Sequence, residues 1–249
     1  MAENKHPIIA HGELYVEPII KKGGGGPKKI PNEYQFAKQK ILADIDVILD
    51  GIQQNNEVFL DEKIVCVRME PKFEAKSYVP NSLMSSSGNM EIVGGRKYFF
   101  ADKQGNEQSA KLYFIRTDDA GIHYLRDTLE SGLKDSYEKW RNQIGSIHSL
   151  DLLSSDEKIM GFSDDWTDGT VEIVLHPLAD EYDKMLSMFY ETSLIAAERT
   201  IVRSYDDGLT FISAKCNYEE IERIKRFNPL RALPPLGRIC ISPIRSSTP

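Results

Sequence analysis

Between residues 34 and 52 the apolar side chains Tyr34, Ala37, Ile41, Ile45, Ile48 and Ile52 recur every three to four positions. This spacing places them on one face of an amphipathic helix. Asn32 is expected to cap it with Gln35 as the box partner, and Gly51 with the polar "QQNN" marks its end. After that the period changes. "KIVCVRMEPKF", "MEIVGGRKYFF" and "AKLYFIRT" read as strands, and "DAGIHYLRDTLESG" reads as a helix opened by Asp118 or Asp119 and striped by Ile122, Leu125 and Leu129. "SIHSLDLLS" closes the set as a further strand. The slot "EAKSYVPNSLMSSSGN" has to hold the remaining helix, and Pro80 with the serine run makes it short or weak.

The same order then recurs. "TVEIVLHP" alternates Val171, Ile173 and Leu175 on one face, and "EYDKMLSMFYETSLIAA" carries Tyr182, Met185, Leu186, Phe189 and Leu194 at helical spacing. "RTIVRSYDDG" and "LTFISAKC" flank an Asp-Asp-Gly turn. Asn217, with Glu220 three residues on, opens the helix "YEEIERIKRF", and "GRICISP" is the expected last strand. The pattern is α+β: two tandem ferredoxin-like βαββαβ modules preceded by a strand, a Gly-rich loop and the amphipathic helix. The expected divisions are an arm and Gly-rich loop at 1–31, the helix at 32–59, modules at 60–155 and 156–243, and an extended tail at 244–249. Trp166, in the acidic stretch between the modules, is expected to pack across their seam.

Composition narrows the function classes. With 38 acidic against 31 basic residues and a formal charge of -7, the chain lacks the accumulated Lys and Arg that drive phosphate-backbone binding, so nucleic acid is not an expected partner. The strand "KLYFIRT" also lacks the glycine of an RNA-recognition motif. No apolar run long enough for a membrane span and no signal-peptide pattern is present, which points to a cytoplasmic protein without a membrane partner. Cys66, Cys216 and Cys240 are an odd set in apolar runs and read as buried free thiols.

Candidate chemistry adds little. "KKGGGGPKK" fails the phosphate-loop spacing because Lys28 is followed by Lys29 and Ile30. No G-x-S-x-G elbow occurs, the five histidines are scattered without zinc-ligand spacing, and the paired aspartates sit where helix caps and turns favour them. Neither a catalytic residue, a metal nor a cofactor is expected.

Two segments resemble a known family. "AKSYVP", with Ala75, Lys76, Ser77, Tyr78 and Pro80, and "VGGRKY", with Val93, Gly94 and Arg96, are similar to the N-terminal region of large bacterial subtilisin-like serine peptidases that carry AKSY-x-P and VG-x-R segments. "FNPLRALPPLGRI" is similar to the lead into their protease domain, and the likeness runs from about Leu14 to Pro243. The protease motifs around the catalytic Asp, His and Ser are absent, so no catalytic residue carries over. The resemblance implies a non-catalytic, prodomain-like region that helps the protease domain fold, docks on it in cis or trans, and inhibits it. Its tail, Leu236, Gly237, Arg238, Ile239, Cys240, Ile241 and Ser242, would enter or lead to the protease, and the outer sheet face of the second module would dock. The AKSY-x-P segment would either contact a partner or shape the first module. The resemblance further implies a role in bacterial defence beside an AAA-type ATPase. Two other readings stay open: a stand-alone interaction adaptor, and a ligand sensor or small enzyme at the module interface.

Overall fold

A computed structural model of the chain describes residues 29–54, 57–73, 79–84, 89–101, 105–179, 181–205 and 208–236. The expected first strand and the Gly-rich loop lie outside them, as do residues 237–249. The first element is α1 (Tyr34–Gln53), and its buried stripe is Tyr34, Ala37, Ile41, Ile45 and Ile48. Its cap differs from the expectation: Glu33, not Asn32, accepts the Phe36 N–H. The Asn32 amide is drawn away instead, donating to Glu70 Oε1 at 2.9 Å and to the Gly145 carbonyl at 3.3 Å.

The first sheet comprises β1 (Lys63–Met69), β2 (Met90–Ala101), β3 (Glu107–Thr117) and β4 (Ile147–Asp151) in the order β2-β3-β1-β4, every neighbour antiparallel. Its helices are α2 (Asn81–Met84), a single turn as Pro80 and the serines require, α3 (Asp119–Ser131) and α4 (Glu138–Gly145). Asp118 caps α3 through a 2.7 Å bond from the Gly121 N–H. The helix α4 is an addition to the expected pattern, because only Trp140 and Ile144 mark its apolar face. Val65, Val67, Met69, Tyr113 and Ile115 pack with the stripes of α1, α3 and α4 in one core. The edge of β4 is closed by α1, where Asp44 accepts the Leu150 N–H at 2.9 Å and Lys40 donates to the His148 carbonyl.

After the single turn α5 (Ser155–Lys158), the second sheet repeats the plan with β5 (Asp168–Leu175), β6 (Thr200–Ser204), β7 (Thr210–Asn217) and β8 (Leu230–Ala232) in the order β6-β7-β5-β8. Its helices are α6 (Tyr182–Ser193) and α7 (Tyr218–Ile224), and the Asn217–Glu220 capping box forms as read. Both sheets therefore have the split βαβ topology of the ferredoxin-like fold. The fourth strand comes earlier than "GRICISP": Leu230 and Ala232 pair with β5, and residues 237–243 lie outside the described residues. Beyond β8 the chain stays paired to β5 past Pro234 and Pro235, through groups that need no proline N–H. The Pro234 carbonyl accepts from Glu172 N–H at 3.0 Å, and Leu236 N–H donates to Thr170 O at 2.8 Å.

β1 is buried on both faces along its apolar stretch Ile64, Val65, Cys66 and Val67. The face opposite α1, bearing Ile64 and Cys66, joins Leu112 and Phe114 of β3 in one core with Phe189, Phe227 and Leu230 of the second module. The two modules thus share a hydrophobic core.

Candidate functional site

The segment 227–236 joins the two modules residue by residue. Phe227 is fully buried beside Phe189, their ring centroids 6.0 Å apart. Asn228 acts as a surrogate strand: its Oδ1 accepts from Ile64 N–H at 2.8 Å and its Nδ2 donates to Ile64 O at 3.1 Å. Those two groups lie where β1 runs on past the reach of β4, whose pairing begins at Cys66. The Asn228 N–H reaches the Val58 carbonyl, and Val58 N–H reaches Arg226 O, so the approach to β1 is paired with the second module as well. Lys158, fully buried, donates from Nζ to Glu57 Oε1 at 3.0 Å and to the carbonyls of Lys225 and Phe227. Burial pulls its pKa down against the pull of Glu57.

The family-like residues fall on this seam in part. Gly94 and Arg96 lie on β2 on the same face as Phe114 and Leu112, their register partners. A Cβ on Gly94 would stand 2.5 Å from Arg231 Nη1, so the bare backbone lets that guanidinium lie over the Phe114 ring, 4.8 Å from its centroid. Arg231 Nη2 donates to Gly95 O at 3.2 Å, and Arg96 Nη2 to Glu157 O at 3.0 Å. Val93 packs against the shared core, and Pro80 is buried where α2 begins. Ala75, Lys76, Ser77 and Tyr78 lie outside the described residues, as do Gly237, Arg238, Ile239, Cys240, Ile241 and Ser242. Leu236 is 42% exposed at the end of the paired strand. Trp166 packs against the shared core from the second module's side. It stands over Gly169 at the start of β5 and meets Phe162 edge-on at 4.7 Å, and the 158–160 segment before it pairs with Leu233.

His176 is the seam group that sequence reasoning passed over. It is fully buried, 4.4 Å from Phe114 between ring centroids, and neither ring nitrogen has a hydrogen-bond partner among the described residues. Burial, then the charges of Arg231, Arg96 and Lys158, hold its pKa well below the usual imidazole range. An imidazole kept neutral in the fold but free to protonate when unfolded costs stability as pH falls through its unfolded value. Its contribution is therefore intact above about pH 6.5 and lost below it, at a slope approaching about 1.4 kcal/mol per pH unit. Urea unfolding at about pH 7 and pH 5.5 is expected to show this slope in the wild type and a shallower one in His176→Phe. Equal slopes would remove the assignment.

The second surface is the open face of the second sheet. Register places Ile201 beside Ser213, Arg203 beside Phe211, and Glu172 across from Ser213, all on the side away from Ile173, Ile212 and Ala214, which face the core. Ile201 is 64% exposed on the edge strand β6, and Tyr205, 65% exposed, stacks edge-on against Phe211. A groove of about 360 Å³ between Leu178, Tyr182, Tyr205 and Thr210 opens at the end of this sheet. Cys66 and Cys216 are both buried and free, and burial pushes the Cys216 thiol up to about 12 and Cys66 upward as well, so neither is a ready nucleophile. No helix of the described residues is long and apolar enough to cross a membrane.

No family model matches the chain, and no curated protein does. A solved structure described as "putative glycine cleavage system transcriptional repressor" is similar over 64% of this chain and 85% of that one, at 13% identity and a TM-score of 0.19.

Proposed function

We propose that this chain is a non-catalytic regulatory region that docks on a subtilisin-like serine protease domain through the open face of its second module and inhibits it. The observation that carries the reading is the placement of an exposed apolar edge, Ile201 with Phe211 and Tyr205, on the same sheet that the outgoing strand at Leu236 is still paired into. A strand leaving a sheet in extended form suits a protease cleft, which binds peptides by strand addition. The segment resemblance at Gly94, Arg96 and 227–239 names the partner class. The partner serves in cis or in trans, and an AAA-type ATPase beside it in a bacterial defence system is part of the same proposal.

The test mixes the purified chain with the matching protease domain supplied separately. Binding and loss of peptide hydrolysis are expected at about micromolar concentration or below. Ile201→Asp, which puts a charge on an exposed strand position, is expected to weaken binding at least about tenfold while leaving the melting temperature within about 2 °C. No binding at about 100 µM would overturn the proposal.

A further inference from the structure

The clasp around Phe114 is electrostatically one-sided. Arg96 and Arg231 hold their guanidinium carbons 5.7 and 4.8 Å from the Phe114 centroid, and His176 meets the same ring. Neither arginine has a carboxylate within ion-pair distance among the described residues: Arg96 reaches the main-chain oxygen of Glu157, and Arg231 that of Gly95. The neighbouring carboxylates are already taken. Arg68 bonds both Asp151 and Glu157 at 2.7–3.0 Å, and Lys158 holds Glu57. Among the described residues, Arg96 Nη1 and both His176 nitrogens are left buried without a partner. In a chain of formal charge -7, two half-buried cations without a carboxylate partner among the described residues, one of them with an orphaned donor, need a reason.

We infer that this seam is a binding site for a small oxyanion of the phosphate class, gripped by Arg96 of the first module and Arg231 of the second, with His176 adding a ring donor. A guanidinium presents its N–H groups as a planar fork, and two forks from different elements suit a tetrahedral anion with several acceptor oxygens. Gly94 places no side chain between the Arg231 fork and the backbone. Because the two arginines belong to different modules, the bound anion fastens the seam, and its free energy adds to that of the fold. The inference does not depend on the protease reading.

The test is thermal unfolding of the full chain in inorganic phosphate, acetate and chloride at matched ionic strength. Phosphate is expected to raise Tm by about 3–5 °C for each tenfold excess over its Kd, beyond the effect of acetate or chloride. Arg231→Gln is expected to abolish the response, and Lys139→Gln, an exposed position far from the seam in sequence, to retain it. Should Arg231→Gln fail to fold, calorimetric titration of Arg96→Gln with phosphate decides, an affinity loss of about tenfold or more being expected. Equal responses to phosphate and chloride, or an undiminished response in the arginine variants, would overturn the site.

Discussion

Asn228→Leu is expected to lower the unfolding free energy by about 2–6 kcal/mol, because each of the two Ile64 backbone groups left unpaired in the interior costs about 1–3 kcal/mol. Leucine keeps the branched shape and the number of side-chain heavy atoms but has no polar atom, so the loss combines the missing polar pairing with some crowding by the bulkier methyl groups. At this chain length it corresponds to a fall in Tm on the order of 10 °C. Chemical denaturation of the wild type and variant measures it directly. A loss below about 1 kcal/mol would mean that β1 does not rely on the second module for those bonds.

Phe114→Ala is expected to cost about 3–5 kcal/mol, the usual range for removing a large buried aromatic side chain. Phe114 differs from an ordinary core ring in what it supports, since Arg96, Arg231 and His176 all lie against it. Its removal therefore loosens a contact between modules as well as leaving a cavity. A Phe114→Leu variant, which keeps apolar bulk but loses the ring face, is expected to fall between the two. Indifference of stability to Phe114→Ala would contradict the description of a shared core.

The repeated plan was legible in the sequence because it depends on local periodicity. Ile41, Ile45 and Ile48 at helical spacing, and Val171, Ile173 and Leu175 at strand spacing, bury as their spacing dictates. Asn217 with Glu220 fixes the start of α7 by a contact three residues long. What was not legible depends on contacts between distant residues. Asn32 was drawn from its capping role by Glu70 and Gly145. The last strand was expected at "GRICISP", yet Leu230 and Ala232 pair with β5 before Pro234 and Pro235, and past them only carbonyls and the Leu236 N–H are needed. The seam was hidden for the same reason: Lys158 and Asn228 look like ordinary polar residues until Glu57 and Ile64 are brought to them. The resemblance drew attention to Gly94 and Arg96, and Arg231 supplies the physical reason for a bare backbone at Gly94.

The most direct test of the proposed docking is amide hydrogen exchange of the chain, alone and mixed with the matching subtilisin-like protease domain. The protease is expected to slow exchange in residues 200–204 and 210–217 and at the paired segment near Leu236, while α1 and α3 are unchanged. A complex that protects only the first module, or leaves 200–217 exchanging as in the free chain, would contradict it.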